Sequence, residues 1–390
     1  MVYKYDFLII GAGVAGMSYA LKVARAHKGK ICMICKTSLD EANTSFAQGG
    51  VASVTNLAVD NFDKHIEDTM IAGDYMFTTR FCYTGRIQNG KLTGNLYCVG
   101  GFDPLVTNND IKDMVARLYE LGVDTLRGHI YADRSMKEPL DWGEGWCWDD
   151  DNPRLTPLSI GRQDTFTDCV ARELQNIGIV LQNVTIGEAV CPPNARLICP
   201  LFHTIDQVMD RMMKKSDNFH AEAMFYQIAA STGKPLSKAT DASAIVRQLI
   251  RRIGLGGNSY RIADGSGLSL YNYVSAELET MLLRYAWRNS NIYDHLAPSL
   301  PIAGVDGTLE KRMRGTAAQG NVRAKTGTVT GISSLAGYCT AANGHQLCFS
   351  IINQGVMRGA DGKSFQDRVC VALCEPSMGP PKVFGSPIFH

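Results

Sequence analysis

The stretch that most limits what this chain can fold into runs from Val322 to Asn353. Residues 322 to 329 read Val-Arg-Ala-Lys-Thr-Gly-Thr-Val, with small or apolar residues alternating with Arg323 and Lys325. That period of two is the signature of a half-buried strand. A second strand-like run, Ser333 to Cys339, follows, and Asn343-Gly344 separates it from Leu347-Cys348-Phe349-Ser350-Ile351-Ile352. Asn-Gly between two such runs is a strong hairpin signal, because both turn positions take φ > 0. The segment therefore predicts an antiparallel meander that displays Lys325 on one strand.

By itself, Lys325-Thr326-Gly327 is as consistent with a solvated lysine beside a turn glycine as with a site. Its context is more specific. Upstream, Lys215-Ser216-Asp217-Asn218 follows an amphipathic run (Ile205, Val208, Met209, Met212) and precedes another helical stretch. Ser-x-Asn, then Lys-Thr-Gly about a hundred residues on, is the order of two of the three motifs of penicillin-recognising serine enzymes. From about Phe77 to about Cys374 the chain resembles a D-alanyl-D-alanine carboxypeptidase/endopeptidase of the low-molecular-mass class C penicillin-binding proteins. The other segments that carry the likeness are Gly90 to Tyr97, Asp264 to Ser269, Leu300 to Leu309 and Val322 to Tyr338, in family order.

The resemblance implies a fold and a division of labour. The fold class is mixed α/β and α+β. An accessory inserted domain (77–196) precedes a serine carboxypeptidase, β-lactamase-like domain (197–374) whose N-terminal part is missing, and a Pro/Gly-rich tail (375–390) follows. Ser216 and Asn218 would orient substrate and relay protons. Lys325 and Thr326 would meet the substrate carboxylate, and the backbone N–H of Thr328 would form part of an oxyanion hole. Peptidoglycan D-Ala-D-Ala peptides and β-lactams are the implied partners, with no cofactor for this part.

Family chemistry also needs a Ser-x-x-Lys pair opening a helix, which belongs just before Phe77. The one literal spelling is Ser231-Thr232-Gly233-Lys234, and Gly233 with Pro235 mark it as a turn. The acylating pair is therefore absent, and the chain is expected to be inactive as written. It would be either a fragment of that enzyme or a non-catalytic peptidoglycan- or β-lactam-binding pseudoenzyme.

The front of the chain points elsewhere. Residues 5 to 16 read as a buried strand followed by Gly11, Gly13 and Gly16, a helical run extends through Ala26, and Lys30 to Cys35 is a second strand. This is the βαβ dinucleotide fingerprint in context. Gly11 allows a tight turn, Gly13 admits a pyrophosphate close to backbone, and Gly16 lets helix pack on strand; the phosphates would face the helix N-terminus. Lys36 stands near the place of the usual acid. With Thr44 to Ala52 and His65 to Asp74, the segment resembles the start of L-aspartate oxidases, of the fumarate reductase/succinate dehydrogenase flavoprotein family. That likeness implies FAD as a possible cofactor for residues 1–75, with Lys36, Ser45, Gln48, Gly49 and Gly50 beside the three glycines. It stops before that family's capping domain and catalytic arginine, so a fragment of an FAD-dependent L-aspartate oxidase is the alternative function. The change of family, between about Asp74 and Thr79, has no Pro/Gly/Ser linker, and a joined or chimeric reading frame accounts for it.

Composition adds bounds. With 39 basic and 38 acidic residues among 390, charge gives no argument for nucleic acid. The 12 cysteines are scattered; Cys32-Met33-Ile34-Cys35 has no second ligand pair, so core packing is expected. No run reaches the length of a transmembrane helix. The carboxypeptidase family works outside the cytoplasmic membrane, yet no convincing export signal is present, so a cytoplasmic chain is expected. A hairpin is expected from Phe81 to Val99 around Asn89-Gly90, and a helix from Asn109 with Ile111, Met114, Val115 and Leu118 on one face. The Trp142, Trp146 and Trp148 cluster is expected to serve core and rim packing before any ligand surface.

Overall fold

The computed structural model describes residues 7–10, 31–34, 77–147 and 154–375. It comprises two compact units, Met1–Tyr75 and Met76–His390. In the first, strands β1 (Phe7–Ile10) and β2 (Ile31–Ile34) pair in parallel, from Phe7↔Ile31 to Ile10↔Ile34. A parallel pair needs a long crossover, as the fingerprint requires. Gly11, Gly13, Gly16, Lys36, Ser45, Gln48, Gly49 and Gly50 all lie outside the described residues.

The second unit begins with a seven-stranded sheet in the order Arg86–Gln88, Lys91–Thr93, Thr125–Asp133, Leu96–Gly100, Phe77–Tyr83 and Arg196–His203, with Val180–Glu188 against Thr125–Asp133. Its first four strands are β3 (Phe77–Tyr83), β4 (Arg86–Gln88), β5 (Lys91–Thr93) and β6 (Leu96–Gly100). They form the expected hairpin around Asn89 (φ 49°) and Gly90 (φ 77°), but its two arms are each broken once. The breaks fall at Gly85 and Gly94, where the arms approach so closely that a Cβ at 94 would lie 1.9 Å from Thr84 O. Beyond the break, β5 and β6 share one edge of β7 (Thr125–Asp133).

Helix α1 (Asn108–Glu120) starts on a capping box, Thr107 with Asp110. It buries Ile111, Met114, Val115 and Leu118 against the sheet together with Val170 and Leu174 of α2 (Phe166–Asn176). Strand β8 (Val180–Glu188) is followed by β9 (Arg196–His203), which pairs with β3 from Tyr83↔Arg196 to Phe77↔His203. The sheet thus carries across the 196/197 boundary expected from resemblance, with β3 paired to β9 along its whole length and to β6 from Thr79 on.

Helices α3 (Ile205–Lys215), α4 (Asn218–Ala230) and α5 (Ala239–Arg252) follow, joined to the sheet through Phe77, Phe102, Val208, Phe219 and Tyr226. After α6 (Ala276–Trp287) and α7 (Ser290–Ser299) comes the meander β10 (Arg323–Val329), β11 (Ile332–Thr340) and β12 (Gln346–Gln354), antiparallel throughout. One face packs Leu335, Cys339 and Phe349 on Cys370 and Cys374 of α8 (Gly359–Cys374). The other meets α6, with Tyr338 Oη donating to Leu283 O and Ser350 Oγ to Glu279. The β11–β12 connection differs from the expected two-residue turn. It spans Ala341 to His345, and of its residues only Gly344 has positive φ, because Ala341 N and His345 O close the loop one pair earlier. Gly337 is obligatory: a Cβ there would sit 2.1 Å from Arg323 O.

Candidate functional site

The corner between α3 and α4 is built to present Ser216. Thr204 and Gln207 cap the start of α3, and Val208 and Met209 anchor it. Its last turn ends in Ser216, whose φ of 55° and ψ of 47° lie in the left-handed region. A non-glycine residue there is held by its surroundings. The constraint comes from both sides. Ser216 N–H donates to Met212 O. Asp217 caps α4, accepting from Phe219 N at 3.1 Å and His220 N at 3.4 Å, while its other oxygen accepts from Arg211 Nε at 3.2 Å. Burial acts to raise the Asp217 pKa, but His220, Arg162 and Arg211 outweigh it and hold the carboxylate well below its usual range.

Opposite this corner runs β10, an edge strand. The amide of Ala324 donates to Pro301 O at 2.9 Å, on the side away from β11. Backbone groups alternate sides along a strand. The amides of Thr326 and Thr328 therefore leave by the same outer edge, and among the described residues neither meets an acceptor. The Thr326 carbonyl also points outward, and Lys325 Nζ donates to it at 2.6 Å. The same amine donates to Ser216 Oγ at 2.7 Å, closing the gap between helix corner and strand. Burial alone pushes the Lys325 pKa down to about 8. A desolvated ammonium with a hydroxyl and a carbonyl for company but no carboxylate is a cation awaiting an anion.

The frame around the cleft is tied together by side-chain pairs. Lys214 donates to Leu300 O and to Asp306, both at 2.7 Å, and so ties α3 to the 300–309 segment. That segment brings Thr308 to the site, where its hydroxyl accepts from Thr326 Oγ1 at 3.0 Å. On α4, Glu222 is buried and accepts from Gly265 N and Ser266 N. Burial, and then the charge of Asp264, push Glu222 up to about 7. Asp264 in turn accepts from Trp146 Nε1, Ser269 N and Asn272 Nδ2, at 2.8, 2.7 and 2.6 Å.

Of the five sequence-predicted residues, Ser216 and Lys325 are in direct contact and Thr326 and Thr328 border the open edge. Asn218 opens α4, half-buried, two residues from Ser216. Lys214, Glu222 and Thr308 were not singled out. A lone acid inside the apolar run Phe219 to Ala230 was a legible sign for Glu222. Ser231 caps the end of a helix rather than opening one, with its hydroxyl on Ile228 O, and Lys234 pairs with Asp241. Trp146 is anchored on Asp264 and packs in the core, whereas Trp142 is 56% exposed; Trp148 lies outside the described residues. Among the described residues no cluster of three or more His, Cys, Asp or Glu could hold a metal, and no helix is long and apolar enough to cross a membrane.

A helix-end serine touching a lysine on the edge of an antiparallel sheet brings together the Ser-x-Asn and Lys-Thr-Gly motifs of the penicillin-recognising serine enzymes. The sequence model of the D-Ala-D-Ala carboxypeptidase 3 (S13) family matches residues 69–159 and 156–375, and the chain belongs to that family. A D-alanyl-D-alanine carboxypeptidase of Actinomadura sp. is 37% identical over 408 aligned residues, covering 78% of this chain and 74% of the relative. The D-alanyl-D-alanine carboxypeptidase DacB of Haemophilus influenzae is 26% identical, covering 73% and 77%. The crystal structure of penicillin binding protein 4 from Haemophilus influenzae shares the fold, with a TM-score of 0.68 at 22% identity over 77% of this chain and 87% of that one. The FAD binding domain model matches residues 6–88, and chloroplastic L-aspartate oxidase of Arabidopsis thaliana is 46% identical over 72 residues, 18% of this chain and 11% of that protein. The N-terminal segment thus resembles part of a flavoprotein, and the rest of the chain is a carboxypeptidase-family protein of mixed α/β fold.

Proposed function

We propose that this chain recognises peptides ending in D-alanyl-D-alanine, as peptidoglycan stem peptides do, and that it does not hydrolyse them. The observation that carries the reading is Lys325: a largely enclosed amine with no opposite charge, beside a strand edge whose Thr326 and Thr328 amides point outward. A peptide carboxylate supplies the missing charge. An extended peptide backbone adds along the open edge by the same hydrogen bonds that join strands. Thr326 Oγ1 flanks that path, Ser216 closes it, and Asn218 stands two residues on at the start of α4. The family's attacking serine, expected ahead of Phe77, has no counterpart in residues 1 to 76, where no Ser-x-x-Lys occurs. Recognition therefore outlives turnover.

The test is calorimetric titration with a D-Ala-D-Ala peptide, alongside an assay for released D-alanine. Saturable binding that Lys325→Ala abolishes, without release, is expected. Release at family-like rates overturns the second clause, and the absence of binding overturns the first.

A second reading applies to the N-terminal segment. The FAD binding domain match and the parallel β1–β2 pair support FAD on Gly11, Gly13 and Gly16, with Lys36, Ser45, Gln48, Gly49 and Gly50 around it. The flavin would supply hydride-accepting chemistry, and this chain's contribution is the phosphate cradle. Purified protein without flavin absorbance after reconstitution rejects it.

A further inference from the structure

We propose that the free edge of β12 is an interface between two copies of this chain, which joins their three-stranded sheets across a two-fold axis at Ser350. The inference is independent of peptide recognition, because the ligand edge is β10, on the far side of the same sheet.

The register fixes which backbone groups β12 turns outward. Ala324 N donates away from the sheet to Pro301 O, so Arg323 and Lys325 turn their backbone groups to Tyr338 and Ala336 on β11. Alternation then turns Leu335 and Gly337 toward Ile351 and Phe349 on β12. Cys348, Ser350 and Ile352 are left with N–H and C=O groups pointing away from β11. The bond from Ala341 N to His345 O, which closes the loop, has the same parity. Among the described residues no strand pairs with this edge, and none of these three amides meets an acceptor.

The composition of the edge selects its occupant. The 9 residues from Gln346 to Gln354 hold no charge and no proline. The other edge strands of this unit each carry a charge that discourages pairing: Arg86 on β4, Glu188 on β8, Arg196 on β9 and Lys325 on β10. An uncharged edge does not repel its own copy. About Ser350 the strand is also self-complementary. An antiparallel copy sets Cys348 against Ile352 and Ser350 against Ser350. All three have outward backbone groups, so each pair exchanges both hydrogen bonds. Phe349 then meets Ile351, and Gln346 meets Gln354 at the two ends. Apolar residues therefore oppose apolar ones and polar residues oppose polar ones. Phe349 and Ile351 belong to the core under α8, whereas Cys348 and Ser350 face α6 through Thr280 O and Glu279. The pairing continues both layers of the sheet across the axis.

The test is sedimentation velocity of the full chain across about a hundredfold range of concentration, with hydrogen exchange of the 346–354 peptide read by mass at both ends of that range. A monomer–dimer equilibrium is expected, with exchange of that peptide slowed at least about tenfold in the dimer. Ile352→Pro removes one outward N–H from each copy at a position where an edge strand tolerates proline. It should weaken the dimer at least about tenfold. Ile352→Lys keeps the amide but sets a charge against Cys348 of the other copy, and should weaken it as well. A chain that stays monomeric throughout overturns the proposal. So does a dimer whose 346–354 exchange is the same at both concentrations, or one that both variants leave intact. Open-ended polymers in place of a dimer also overturn it, because a two-fold pairing of this edge closes on itself. If neither variant folds, the concentration dependence of exchange in the parent chain decides.

Discussion

Two enclosed lysines in the same unit, Lys137 and Lys325, show what burial does and does not decide. Burial pushes both down to about 8. Lys137, only 4% exposed, is wrapped by its own neighbourhood, with Nζ on Glu138 O at 2.7 Å and Leu140 O at 2.6 Å and the Tyr226 ring 5.0 Å away. Nearby Glu138 and Asp141 oppose its loss of charge. Lys325 has one carbonyl and one hydroxyl, and lies along a strand edge that the 301–302 segment covers only as far as Ala324. The same desolvation therefore yields a structural pin in one place and an unfinished ion pair in the other. A perturbed lysine marks a site only when its surroundings leave a contact open.

Exchanging each lysine in turn is the sharpest way to break this contrast, and it carries the largest effects. Lys325→Ala should cost at least a hundredfold in D-Ala-D-Ala peptide affinity, since a hydrogen-bonded charge pair in a shielded site is worth several kcal/mol. It should leave the unfolding midpoint almost unchanged, because it removes an uncompensated charge. Lys137→Ala should do the reverse: peptide affinity within twofold, but stability lower by about 2–4 kcal/mol from two stranded carbonyls and a lost packing stem. Paired calorimetry and urea unfolding decide it. If both variants lose stability alike, Lys325 is a pin as well.

Much of this was legible in the sequence, and what was missed shares a cause. The meander, the α3–α4 corner and the α1 face follow from local periodicity, caps and glycine. The Ser216–Lys325 contact was reachable only through a resemblance, because 109 positions separate the pair and no local rule spans that distance. Lys214, Thr308 and Glu222 were missed because their roles depend on which partner tertiary packing brings. The shape of the Asn343-Gly344 loop was misjudged because pairing ended one residue sooner on each strand than the dipeptide alone suggests.

An acid gives the comparison its mirror image, with a smaller effect. Glu222 is raised by burial and by Asp264 from 4.5 to about 7. A carboxyl whose folded pKa lies above its unfolded value binds more protons when folded in the window between the two. Stability therefore falls as pH rises through that window, and the full cost is present above about 7. Glu222→Gln removes the ionisation and keeps an acceptor for Gly265 N and Ser266 N. The parent should lose on the order of 3 kcal/mol between pH 5 and pH 8 from this group, and the variant should lose much less. Unfolding curves at the two pH values that shift equally in parent and variant would show that the ammonium-like penalty seen at Lys325 has no counterpart here.

The smallest expected effect tests whether the edge of β10, rather than the charge alone, selects the ligand. Thr326 Oγ1 now donates to Thr308 Oγ1 at 3.0 Å. A ligand carboxylate that captures this hydroxyl exchanges a neutral hydrogen bond for a charge-assisted one, a gain of about 1 kcal/mol. Thr326→Val should therefore weaken D-Ala-D-Ala peptide binding about fivefold, while Thr308→Val should strengthen it slightly by freeing the Thr326 hydroxyl. Equal losses in both variants would mean that the hydroxyl pair acts as one fixed unit. No loss in either would mean that Lys325 and the outward amides recognise the ligand by themselves, leaving the side chains of the edge as spacers.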